Sequence, residues 1–114
     1  MSNRQRIVTE EELEKALDWL RDNAHDMGQA KARLVKAQHM IGHVEALLSL
    51  RSGQSSDMKR KAEARASDKY IEAINEEAEA AGEHEKLKAL REAAALKIEA
   101  WRSEQANYRA INRV

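Results

Sequence analysis

Ser52-Gly53-Gln54-Ser55-Ser56-Asp57 is the one strong loop signal in a chain of 114 residues that contains no proline. The flanking sequence is rich in Ala, Glu, Lys, Arg and Leu and poor in β-branched residues, a composition that favours helix. Gly53 is placed to end one helix, and Ser56 or Asp57 to cap the next. A connection this short makes the two helices antiparallel neighbours. The fold expected is therefore all-α: a long, coiled-coil-like antiparallel helical hairpin, with one helix over about 10–51, a loop over about 52–56 and a second helix over about 57–111.

Upstream of the loop, Thr9 and Glu12 have the spacing of a capping box, and Glu10, Glu11, Glu12 and Glu14 suit the positive end of a helix dipole. Residues 1–8 read as a flexible basic arm and 9–114 as a single domain. One position of a seven-residue repeat is apolar six times running, as Leu13, Leu20, Met27, Leu34, Ile41 and Leu48. Its partner position starts as Leu17 and Ala24, then passes to Ala30, Ala37 and Val44, the drift expected when a 3.6-residue helix meets a seven-residue repeat. In the second helix the apolar stripe reads Ile71, Ile74, Ala78, Ala81, Leu87, Leu90, Ala94, Ile98, Trp101 and Tyr108. Its four-residue steps from Leu90 to Ala94 to Ile98 predict a locally relaxed supercoil. Ala80-Ala81-Gly82-Glu83-His84 is the weakest stretch, and a break there, giving three helices, is the alternative.

Twenty basic and twenty acidic side chains leave a formal net charge of zero. The length fits one small domain. There is no apolar run near the ~20 residues of a membrane span, and the first six residues lack the apolar stretch of a secretory signal. With no cysteine there is no disulfide scaffold and no thiolate metal site, which suits a cytoplasmic protein. Net zero conceals blocks of opposite sign. Residues 1–26 are net −3, 27–50 net +2, 51–70 net +3, 71–85 net −6 and 86–114 net +4. Folding at Gly53 sets Glu10, Glu14 and Asp18 beside Lys97, Arg91 and Lys88, and sets Lys31, Arg33 and Lys36 beside Glu72, Glu76 and Glu77. Exposed pairs of this kind contribute ~0–1 kcal/mol each, so their role is to select orientation and register.

Trp19, Met40 and Leu47 share one heptad position off the main seam, and Leu50 lies near the turn. They are candidates for a second interface, most simply a homodimer packing as a four-helix bundle, or a protein partner. The plainer reading is scattered surface apolar residues. His39 and His43 have the i, i+4 spacing of a two-imidazole site but no third ligand nearby, and read as surface histidines. The acidic run from Glu72 to Glu85 lacks the Glu three residues before a His that helix-bundle metal centres use, because Ala81 precedes His84 by three. No cysteine nucleophile, Gly-rich phosphate loop or nucleophile elbow is present, so neither a catalytic site nor a cofactor is expected. At 100° per residue Lys88, Arg91, Arg102, Arg109 and Arg113 form a basic stripe beside Trp101 and Tyr108. Either the stripe meets Glu10–Asp18 within the chain, or its last turns extend past the first helix and contact nucleic acid, with Arg4 and Arg6 assisting.

The segment Ala89-Leu90-Arg91-Glu92-Ala93-Ala94-Ala95-Leu96-Lys97-Ile98-Glu99-Ala100-Trp101-Arg102, with Gln105-Ala106-Asn107-Tyr108-Arg109, resembles the C-terminal helix of small all-helical proteins encoded by bacteriophages and prophages. It covers about a quarter of the chain and carries over no functional residue. The resemblance implies a phage accessory protein in a bacterial cytoplasm. The function expected is non-enzymatic: a helical interaction or adaptor protein acting through protein contacts. The alternative is a nucleic-acid-binding accessory protein using the basic C-terminal face.

Overall fold

The structure is a computed structural model that describes residues 6–112. Its elements are α1 (Glu10–Arg51), α2 (Asp57–Arg65) and α3 (Asp68–Ile111), with no strand among the described residues. The capping box forms as the sequence suggests. Thr9 Oγ1 accepts from the Glu12 N–H at 3.1 Å, and the Thr9 N–H donates back to Glu12 Oε1 at 3.3 Å. At the loop, Ser56 Oγ accepts from the Lys59 N–H at 3.2 Å and starts α2. Gly53 ends α1 without positive φ. The loop is instead tied down by side chains, with the Ser52 hydroxyl donating to Glu63 at 2.8 Å and Arg60 Nε donating to the Gln54 carbonyl at 2.9 Å.

The expected second helix over 57–111 is in fact two. The break falls at Ala66–Ser67, while α3 runs on through Gly82. Ser67 explains the position: its Oγ accepts from the Tyr70 N–H at 3.2 Å, a second N-cap that competes with helix continuation. A lone glycine in a helix interior costs only ~1 kcal/mol and does not break it.

The chain divides into two compact units, one of Met1–Asp26 with Leu87–Val114 and the other of Met27–Lys86. In the first, α1 turns Leu13, Ala16, Leu20 and Asn23 inward, and α3 turns Leu87, Ala94, Ile98, Trp101, Gln105 and Tyr108 inward. Asn23 satisfies its side chain locally, donating to the Trp19 carbonyl at 2.9 Å. Val8 is buried, and its N–H donates to Glu104 Oε1 at 2.9 Å. The described part of the expected flexible arm, residues 6–8, is thus docked on α3.

In the second unit the inward residues are Met27, Ala30, Leu34, Ala37, Ile41, Val44 and Leu48 of α1, Ala64 of α2, and Tyr70, Ala73, Glu77, Ala80 and His84 of α3. Arg33 on α1 reaches Glu76 on α3, and Arg65 on α2 reaches Glu45 on α1, so the chain folds back antiparallel within this unit.

Two expectations about the seam are corrected. The partner position on α1 does not drift: Ala16 and Asn23 face inward from the start, while Leu17 is 49% exposed. Spacing of three and four from Leu13 to Leu48 alternates a large with a small inward residue, which two helices interdigitate. On α3 the stripe through Ile71, Ile74, Ala78 and Leu90 lies outside, all four exposed. Counting back in sevens from Tyr108 gives Trp101, Ala94, Leu87, Ala80 and Ala73, all of them buried or half-buried.

A Cβ added at Gly82 would meet nothing within 4 Å. Gly82→Ala should therefore raise unfolding stability by about 0.5–1 kcal/mol, measured by urea titration. No change, or a loss, would mean that α3 is not continuous there.

Candidate functional site

Six of the eight buried residues among those described are alanines, and the other two are Val8 and Leu87. The large aliphatic side chains are mostly half-buried or exposed, so the candidate sites are helix faces rather than an enclosed pocket.

In the unit of residues 27–86, Met40 and Leu47 project from one flank of α1, and Leu50 near its end is 83% exposed. Beside Met40 lies a shallow hollow of about 280 Å³, lined by Arg33, Lys36, Ala37, Met40, Ala73 and Glu76. Its rim is held by a two-pronged ion pair, Arg33 Nε to Glu76 Oε1 at 2.6 Å and Arg33 Nη2 to Glu76 Oε2 at 3.1 Å, with Glu79 at 3.5 Å. The hydrogen bond that Arg33 donates to Glu76 holds its guanidinium above the ordinary pKa, and the same bond holds the Glu76 carboxyl below the usual carboxylate range. This is one of the charge matches that the block pattern predicts.

The other predicted match does not form. Among the described residues, no salt bridge joins Glu10, Glu14 or Asp18 to Lys88, Arg91 or Lys97; Asp18 pairs instead with Arg21 at 3.1 Å. With Leu13, Ala16 and Leu20 inward, Glu14 and Asp18 point away from α3, which is the physical reason.

Trp19 belongs to the unit built on Met1–Asp26 and Leu87–Val114 and is half-buried there. In the same unit Trp101 and Tyr108 are half-buried, and the Arg6 guanidinium lies over both rings, 5.6 Å from the Trp101 centroid and 5.9 Å from that of Tyr108. Cation–π attraction of this kind is worth ~0.5–1 kcal/mol at exposed sites. Arg102 is exposed and pairs with Glu99 at 3.2 Å, and Arg109 is exposed. Arg113 and Arg4 lie outside the described residues. Sequence reasoning grouped the two rings with the basic stripe but missed that Arg6 would sit on them; no local spacing relates residue 6 to residue 101.

His39 and His43 are both exposed on α1. Among the described residues no group of three or more His, Cys, Asp or Glu is placed to hold a metal ion, and no helix is long and apolar enough to cross a membrane. Comparison of the chain with protein-family models, with curated proteins and with solved structures finds no match.

The Arg33–Glu76 pair has a pH signature. Because the folded-state pKa of Glu76 is depressed, its contribution is present above the ordinary carboxylate value and is lost as pH falls through the folded pKa. Glu76→Gln should lower the thermal midpoint slightly at neutral pH, with the difference from the parent shrinking to nothing in acid. A difference that persists in strong acid would show that the pair is not its source.

Proposed function

We propose that the chain is a non-enzymatic helical interaction protein, a long antiparallel helical hairpin that presents helix faces to other macromolecules and works as a homodimer of four-helix-bundle type. One observation carries this reading: Met40, Leu47 and Leu50 lie exposed while the most deeply buried positions of the same unit are alanines. Exposed aliphatic side chains grouped on a face, rimmed by polar groups such as Arg33, Lys36 and Glu76, are what a protein-contact surface consists of. The likeness of residues 89–109 to small phage-encoded helical proteins supports a setting as a phage accessory protein in the bacterial cytoplasm.

The test is affinity capture from bacterial lysate treated with nuclease. A protein partner should be retained after nuclease and at high salt, and Leu47→Asp or Met40→Asp should weaken its capture about tenfold or more. Capture that vanishes with nuclease, falls steeply with salt and weakens on Arg102→Glu would replace this reading with nucleic-acid binding through Arg102, Arg109 and the neighbouring rings.

A further inference from the structure

Besides the flank that carries Met40, the unit of residues 27–86 has a second flank. Val35 lies two residues beyond Arg33, and Ile74 two residues before Glu76, so each is turned ~200° about its helix from a member of that ion pair. Because Arg33 and Glu76 meet on one flank, Val35 and Ile74 emerge on the other. Because the helices are antiparallel, both steps run towards the turn, which leaves Val35 and Ile74 at one level with Ile71 a turn away. All three are exposed, at 38%, 40% and 48%. Exposed β-branched residues in helix interiors carry a propensity penalty of a few tenths of a kcal/mol, and more than a third of each of these stays open to solvent.

We propose that this unit pairs antiparallel with a second copy of itself across Val35, Ile71 and Ile74, with the two-fold axis beside Val35. The proposal rests on the interaction reading above and assigns the self-association face, leaving the Met40 flank for a different partner.

Two observations identify the occupant as a second copy. The first is charge. On the turn side of Val35 and Ile74, residues 36–73 carry seven basic and five acidic groups; on the other side, residues 27–34 with 75–86 carry three basic and five acidic. An antiparallel pair sets the positive end of each copy against the negative end of the other, whereas a parallel pair sets like against like.

The second is symmetry. Gly28 and Gly42 lie seven residues either side of Val35, hence on the same face of α1 to within ~20° per step. A two-fold axis at Val35 places Gly28 of one copy opposite Gly42 of the other, the self-complementary arrangement an isologous contact requires. A Cβ at either glycine would meet nothing within 4 Å, so no contact inside the chain accounts for them.

Sedimentation equilibrium of the whole chain should give twice 13.0 kDa at micromolar concentration. Ile74→Lys, at an exposed site, should keep the parent's helical circular dichroism and raise the dimer dissociation constant about tenfold or more. The chain has no cysteine, so single cysteines report geometry directly. With a mild oxidant, Val35→Cys should yield a disulfide-linked dimer and Met40→Cys should not. A chain that stays at 13.0 kDa at high concentration, a dimer indifferent to Ile74→Lys, or linkage through Met40→Cys as readily as through Val35→Cys would each overturn the proposal. A monomer that still captures a protein through Met40 and Leu47 overturns the pairing alone. A dimer that captures nothing supports the pairing and overturns only the assignment of the Met40 flank.

Discussion

The phase of α3 governs what is buried. Over 44 residues without a break, one helix must keep one face inward from end to end. The observed phase places Leu87, Ala94, Ile98, Trp101 and Tyr108 inside at one end and Ala73 and Ala80 at the other. A rotation by one residue would bring Ile71 and Ile74 in, but the same rotation carries Lys88, Glu92, Glu99, Arg102 and Arg109 towards the inside. Burying two isoleucines gains ~1.5–3 kcal/mol each. Each uncompensated buried charge costs several kcal/mol. Charge decides the phase, and the aliphatic residues near the start of α3 are left outside as a consequence.

The most deeply buried positions that result are filled mainly by small side chains. A layer of two helices can bury only what lies between them, and here the fully buried positions are almost all alanine. An alanine methyl removes far less apolar area from water than a leucine, so each such position contributes less than the 1.5–3 kcal/mol of a large aliphatic residue. Specific polar contacts then set which segments meet. The Arg33–Glu76 and Arg65–Glu45 pairs do this in residues 27–86, where all but the half-buried Glu45 are solvent-exposed, and the pairs select register more than they add stability. In the unit of Met1–Asp26 and Leu87–Val114 the corresponding role falls to the Val8–Glu104 hydrogen bond and to Arg6 over the two rings.

Local signals were legible in the sequence, and among the long-range ones the Arg33–Glu76 charge match was too. Thr9 with Glu12, the loop at Ser52–Asp57 and the repeat from Leu13 to Leu48 follow from spacing alone, and the structure reproduces them. The stripe on α3 was misassigned because hydrophobicity ranks Ile71 and Ile74 above Ala73 and Ala80, whereas the structure obeys phase. The signal was nonetheless present, since Ala73, Ala80, Leu87, Ala94, Trp101 and Tyr108 are seven apart throughout. The break at Ser67 was hidden because a serine in a helical composition is ambiguous until its hydroxyl is seen to accept from Tyr70. The Arg6 contact pairs residues almost a full chain apart, beyond the reach of any periodicity.

Phase explains why positions 71 and 74 lie outside, but not why they are isoleucine. On a solvated helix face Ala, Glu, Lys or Gln would raise helix propensity and solubility together, and α3 uses such residues freely elsewhere. The same reasoning applies to Val35 and to the glycines flanking it, which cost helix stability without a neighbour inside the chain to justify them. Several unfavourable choices fall on one flank of one unit, and the proposed self-pairing would account for them together. The Met40 flank differs in kind: there an ion pair holds charge beside apolar side chains, and that mixture favours selection of a particular partner over simple burial. Two faces of opposite character on a layer two helices thick are what a protein needs if it is to hold itself and something else at once.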